Sequence, residues 1–266
     1  MSVTVTEHWI DAGPGRMYAR RWRQGTHEAG DAAAVVLFHD SLGCVELWRD
    51  FPARLATATH RTVVAYDRLG FGRSDPHPGK LPVDFIDDEA ASSVPRLLDG
   101  LGLQRIVPFG HSVGGGMAVA TAARAPQRCE ALVTESAQTF VEDVTVAGIV
   151  AAKRAFQEPG QIERLQRYHG SKARWVLDAW IETWLSPAFE RWDLEPTLRR
   201  VFCPTLAIHG DRDEYGSPSH PGRIARLVQG PSRAIVLEAC GHVPHREKPE
   251  AVLAALTGFL PEASLR

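Results

Sequence analysis

The chain has 266 residues, enough for one large domain or two small ones with a substantial core. Lysine and arginine total 30 against 32 aspartates and glutamates, so the net charge is −2, which excludes binding driven by bulk charge to nucleic acid or an anionic membrane. Hydrophobic residues make up 44% and charged residues 23%, a balance that excludes extensive disorder.

Residues 3–24 read as two strands joined by Asp11-Ala12-Gly13-Pro14-Gly15, and residues 25–32 as an exposed turn. Ala33 to Phe38 is a short apolar run that suits a strand buried on both faces. Similar runs recur at 62–66, 105–109, 131–134, 205–208 and 234–237. Pro108 weakens the third run locally, because proline offers no ladder donor. Helical patterns at 47–58, 84–101, 114–125, 221–229 and 248–260 alternate with the strands, which predicts βαβ crossovers and a mostly parallel sheet covered on both faces.

That rhythm breaks between about 140 and 200, where the spacing is helical and no buried strand is evident. This stretch holds Trp175, Trp180, Trp184, Phe189 and Trp192. These aromatics pack a helical subdomain, line a substrate pocket, or do both. The resulting division is a core of residues 1–139 and 200–266 with an inserted helical cap at 140–199.

Cys44, Cys129, Cys203 and Cys240 are widely spaced, with no metal-binding pattern, and read as reduced thiols of a cytoplasmic protein. The first residues lack the features of a secretory leader, and no apolar run is long enough to span a bilayer.

Gly110-His111-Ser112-Val113-Gly114 fits the pattern G-x-S-x-G. It follows one of the apolar runs and opens a helical one, which is the context a nucleophile at a sharp strand-to-helix turn requires. A serine hydroxyl needs a neighbouring base. His242 follows the run at 234–237 in a Gly-His loop, with His245 three residues on as competitor. The base needs an acid to fix its tautomer. Asp211, Asp213 and Glu214 all follow the strand at 205–208, and charge alone does not separate them.

Together these segments resemble the α/β-hydrolase superfamily, in its small-molecule branch of esterases, lactonases and carbon–carbon bond hydrolases. Phe38-His39-Asp40-Ser41-Leu42-Gly43 with Trp48 resembles the oxyanion loop, and Asp67-Arg68-Leu69-Gly70-Phe71-Gly72-Arg73-Ser74 the D-x-x-G-x-G-x-S segment. Gly210 to Asp213 resembles the acid loop and Gly241-His242 the histidine loop.

The resemblance implies an α/β-hydrolase fold with a Ser112, Asp213 and His242 triad. It also implies oxyanion donors at the backbone N–H groups of Ser41 and Val113, and no metal or organic cofactor. His111, Trp175, Trp180 and Trp184 are the candidate pocket residues, and the expected substrate is a small molecule with an apolar acyl or aryl group. The expected chemistry is hydrolysis of a small or medium carboxylic ester or lactone. The alternatives are carbon–carbon bond hydrolysis in a ring-cleavage pathway and a non-catalytic ligand receptor. Asp40 stands where the family usually has glycine and is expected to point away from the oxyanion site. Glu135 ends its strand and is expected to be a charged residue near the cap rather than the triad acid. Cys44 and Cys240 adjoin the oxyanion and histidine loops, which makes thiol modification an expected route to inhibition.

Overall fold

The computed structural model describes residues 2–25 and 32–264, with side chains through Leu260. Most of the expected turn at 25–32 lies outside the described residues. Eight strands form one sheet: β1 (Val3–Asp11), β2 (Arg16–Gln24), β3 (Ala34–Phe38), β4 (Val63–Tyr66), β5 (Ile106–His111), β6 (Leu132–Glu135), β7 (Thr205–Gly210) and β8 (Ser232–Leu237). Their order across the sheet is β1-β2-β4-β3-β5-β6-β7-β8. β1 and β2 form an antiparallel hairpin, β2 meets β4 antiparallel, and the remaining pairs are parallel.

The apolar runs become strands because apolar layers cover both faces of the sheet. Val36, Phe38 and Val64 face one layer, whereas Val35, Leu37 and Val63 face the other. Pro108 sits in central β5 without ending it. Ile106 exchanges hydrogen bonds with the 128–130 segment on the β6 side, and Pro108 shares that parity. The ladder to β6 restarts only at Phe109, so the missing N–H falls in a gap. The run at 234–237 is the exception among the expected buried strands. It lies in β8 at the sheet edge, and Val236 is 45% exposed.

The helices along the core are α1 (Phe51–Thr59), α2 (Phe85–Asp88), α3 (Val94–Gly100) and α4 (Val113–Arg124). The helix expected over 47–58 starts instead as a 3-10 turn, Val45–Trp48, before Arg49 takes φ 54° and resets the chain. The helix expected over 84–101 opens into a π turn at Glu89–Ser93. Pro95 lies just beyond, and its missing N–H removes a normal helical bond there.

Between β6 and β7 come α5 (Asp143–Ala155), α6 (Gln161–His169), α7 (Ala173–Trp184) and α8 (Glu195–Leu198). Then follow α9 (Ser219–Leu227), α10 (Pro244–Glu247) and α11 (Pro249–Ser264). No helix among the described residues is long and apolar enough to cross a membrane.

Two glycines let α4 cross the sheet closely. A Cβ on Gly110 would lie 2.0 Å from the Gly114 carbonyl oxygen, and one on Gly114 would lie 2.2 Å from that of Phe38. Gly110→Ala therefore lowers stability by at least about 2 kcal/mol in urea unfolding. Gly222 faces open space in α9, so Gly222→Ala raises stability by about 0.5–1 kcal/mol in the same measurement.

Candidate active site

Ser112 sits between β5 and α4 with φ 55° and ψ −126°, a conformation that non-glycine residues rarely adopt. Two backbone bonds hold it there. The Ser112 N–H donates to the Glu135 carbonyl at 2.8 Å, and the Gly115 N–H donates to the Ser112 carbonyl at 2.8 Å. Val113, the next residue, is the first of α4, where helical N–H groups lack internal partners.

Asp213 and His242 come from the loops after β7 and β8. His242 Nδ1 lies 2.8 Å from both carboxylate oxygens of Asp213. The Tyr215 N–H also donates to Asp213, at 2.8 Å, and His209 Nε2 lies 3.2 Å from its other oxygen. Burial would raise the Asp213 pKa, but these donors outweigh it and hold the carboxyl below its ordinary range. Burial would likewise lower the His242 pKa, yet the bond to Asp213 and its charge carry it above the ordinary histidine value. The structure thus separates the three acidic candidates. Asp211 caps the Cys240 N–H and Glu214 is exposed, leaving Asp213 on the imidazole.

His245 does not compete for that place. It turns under the histidine loop, with Nδ1 3.1 Å from both oxygens of Glu135 and its ring 4.5 Å from that of Trp48. Glu135, at the end of β6, is fully buried, and its carboxylate accepts the His245 N–H. Burial works to raise its pKa, and the His245 charge and bonds overcome this and lower it.

The front of the site rests on Asp67 and His39. Asp67 accepts the N–H groups of Val45 and Arg73 at 2.6 and 2.7 Å. A Cβ on Gly72 would lie 2.1 Å from the Asp67 carboxylate, and the Ser74 hydroxyl donates to the Asp67 carbonyl. These contacts explain the D-x-x-G-x-G-x-S spacing as a buried carboxylate wrapped by its own loop. His39 Nδ1 lies 2.8 Å from the Asp40 carbonyl, and its Nε2 accepts from the Arg68 N–H at 3.2 Å.

A cavity of about 180 Å³ opens beside Ser112 and His242. Asp40, Ser41, Leu42, Gln138 and Val243 form part of its wall. Thr145 and Ile149 of α5, Trp180 and Trp184 of α7, and Glu214 and Tyr215 complete it. Helix α5 is pinned to the acid loop. The Thr145 hydroxyl donates to the Tyr215 carbonyl, and Glu142 accepts the Ser217 N–H and hydroxyl.

Two expected pocket residues lie elsewhere. The Trp175 indole N–H donates to the Gly79 carbonyl and its ring stacks on His77, so it lines a separate groove. His111 is buried behind the histidine loop, 2.8 Å from the His242 carbonyl, and burial pushes its pKa down to about 4. Asp40 bonds backbone as expected, accepting the Leu42 N–H at 3.1 Å, but it also lines the cavity instead of turning from it. The two cysteines near the site are closed to reagents. Cys44 and Cys240 are buried, and burial raises both thiols to about 12.

Gln138, Thr145, Ile149, Tyr215 and Val243 were not legible as pocket residues, because they come from four loops and helices with no shared motif. No group of three or more histidine, cysteine, aspartate or glutamate side chains suited to a metal ion occurs among the described residues.

A model of the α/β-hydrolase fold family matches residues 33–167, just over half of the chain. The chain belongs to the α/β-hydrolase family. It is 26% identical to the 2-hydroxy-6-oxo-2,4-heptadienoate hydrolase of Pseudomonas putida, over 94% of this chain and 98% of that one. It is 30% identical to a 2-hydroxy-6-oxononadienedioate/2-hydroxy-6-oxononatrienedioate hydrolase of Paraburkholderia xenovorans, over 88% and 89%. A stretch of 125 residues is 33% identical to an uncharacterized protein of Mycobacterium tuberculosis, and the match spans about a third of that relative's length (35%).

Among solved structures, the 2-hydroxy-6-oxo-6-phenylhexa-2,4-dienoate hydrolase of Rhodococcus sp. strain RHA1 superposes with a TM-score of 0.80. The two are 19% identical, with 98% and 100% of the chains covered. The enol-lactonase of Burkholderia xenovorans LB400 gives 0.76 at 22% identity, covering 96% and 100%. These structural likenesses establish the fold.

The two histidine–carboxylate pairs predict different responses. Titration of the His242 imidazole by NMR gives a pKa above the ordinary histidine value. Asp213→Asn brings it below that value, because burial then acts without the opposing charge. Glu135→Ala leaves His245 buried without its partner and costs about 3–5 kcal/mol in urea unfolding.

Proposed function

We propose that this α/β hydrolase is a serine hydrolase of a small carboxylic ester or lactone, with Ser112 as nucleophile, His242 as base and Asp213 as orienting acid. One observation carries the reading: the left-handed Ser112 shares a cavity with a histidine whose Nδ1 is bonded to a buried carboxylate. With Nδ1 engaged, Nε2 is the nitrogen that takes the serine proton.

Ser112 Oγ attacks the carbonyl carbon as His242 accepts the proton. The N–H groups of Val113 and Ser41 receive the oxyanion. The tetrahedral intermediate collapses, His242 protonates the departing alkoxide, and Ser112 keeps the acyl group. Water then attacks the acyl-enzyme, giving its proton to His242, and Ser112 leaves as the restored hydroxyl. Residues 140–199 serve in this reading as a cap whose α5 and α7 roof the cavity and select the substrate.

Carbon–carbon bond hydrolysis is less well matched to this cavity. The relatives named for it act on dienoates or dienedioates, which carry carboxylates. Here the wall presents Asp40 and Glu214 and no lysine or arginine among the described residues.

Ser112→Ala lowers kcat/KM for p-nitrophenyl acetate by at least about 10⁴-fold, with the unfolding free energy from urea titration unchanged within about 1 kcal/mol. Wild-type turnover by that variant contradicts the assignment.

A further inference from the structure

We infer that His169, at the end of α6 and outside the sheet core, is a positioning residue for the oxyanion site, fixing the turn that carries the Ser41 N–H. This rests on the proposed ester or lactone hydrolysis and names a further residue of that same site.

Asp40 to Gly43 form a turn after β3. The Leu42 N–H donates to the Asp40 carboxylate at 3.1 Å, and the Gly43 N–H to the Asp40 carbonyl at 3.3 Å. That carbonyl also receives His39 Nδ1 at 2.8 Å and the Arg68 guanidinium at 3.0 Å, so the bond that closes the turn is the longest of three to one oxygen. The Ser41 N–H has no partner among the described residues, and Ser41 lines the cavity beside Ser112.

The Leu42 carbonyl and the Gly43 N–H are the two sides of one peptide plane. His169 holds the carbonyl side, with Nε2 3.0 Å from the Leu42 oxygen. The Gly72 N–H donates to His169 Nδ1 at 2.9 Å, so Nδ1 is bare and Nε2 carries the hydrogen that Leu42 accepts. The ring is 1% exposed. Burial pushes its pKa down to about 4 against the pull of the Leu42 carbonyl and Asp40, and the nearby Lys172 and Arg68 charges add to the fall. At pH 7 one neutral tautomer therefore makes both bonds.

The core holds the two ends of this loop, through Arg68 on Asp40 and through Asp67, which accepts the Val45 N–H. His169 holds its middle, from the helical segment between β6 and β7. Two neighbours fasten that segment nearby. Lys172 Nζ donates to the Gly72 and Ser74 carbonyls at 2.8 and 2.6 Å, and a Cβ on Gly70 would lie 2.3 Å from the Trp175 ring. Of these three side chains, His169 is the one that reaches the oxyanion turn. Without it the Leu42–Gly43 peptide loses its hold on the carbonyl side, and the Ser41 N–H shifts from the oxyanion position. A displaced donor forfeits part of the roughly 10²–10³ in turnover that a missing donor costs.

His169→Phe keeps a ring of similar size and neither bond. It is tested on the full chain at pH 7 with p-nitrophenyl acetate and with trifluoroacetone. Ser112 Oγ adds to the ketone carbon, its proton passing to His242, and the alkoxide formed sits where the oxyanion of the ester sits. The expected result is a fall of about 10–10²-fold in kcat with KM within about threefold, since acylation and deacylation both pass through an oxyanion, and a similar loss of ketone affinity. Rescue separates the two bonds. His169→Gln places an amide N–H near the former Nε2 and keeps kcat within about threefold of wild type, whereas His169→Asn reaches Gly72 alone and falls with His169→Phe. Should His169→Phe fail to fold, the comparison of His169→Gln with His169→Asn decides. Unchanged kcat in folded His169→Phe, a loss confined to KM, unchanged ketone affinity, or His169→Gln no better than His169→Asn overturns the inference while leaving ester hydrolysis intact. Wild-type protein that neither hydrolyses the ester nor is labelled at Ser112 by a fluorophosphonate overturns the proposed function and this inference together.

Discussion

The left-handed backbone of Ser112 is the constraint on which the rest of the molecule depends. A residue at φ 55° costs roughly 1–3 kcal/mol and persists only where its surroundings over-determine it. Here they do. β5 brings the chain to the turn, and α4 leaves it buried against β3 and β6. The glycines at 110, 114 and 115 stand where any side chain would strike backbone or Ala137. The Glu135 carbonyl at the end of β6 then accepts the Ser112 N–H. The serine is thus raised into the cavity by packing on both sides of the turn, before any catalytic partner is considered.

Buried imidazoles surround this turn and divide the remaining work by the carboxylate each one meets. Asp213 raises the His242 pKa and leaves one ring nitrogen toward the cavity. Glu135 pairs with His245 under the same loop and ties β6 to the start of α10. His39 and His111 meet mostly carbonyls and N–H groups, and burial holds both in the neutral form. Among these four histidines, only the environment distinguishes the proposed base from a brace.

The strands and the elbow were readable from the chain because their signals are local. Continuous apolar runs mark strands covered on both faces, and G-x-S-x-G marks a turn that cannot tolerate side chains. The 234–237 run was misread as fully buried because apolar composition does not reveal whether a strand lies at an edge. Helix boundaries at 47–58 and 84–101 were smoothed over, since Arg49 and Pro95 act through single backbone groups. The pocket was the least legible part. Trp180 and Trp184 face it, whereas Trp175 turns to Gly79 and His77, and sequence spacing gives no account of which loop each ring will meet. Asp40 illustrates the same limit. Its bond to backbone was foreseeable, and its place on the cavity wall required the fold.

The most direct measurement is rapid quench of the protein with p-nitrophenyl acetate, followed by peptide mass spectrometry. An acetyl group on Ser112 that accumulates before steady state and is lost on standing is the predicted result. Turnover with no adduct, or an adduct on another residue that forms at the turnover rate, would contradict the account.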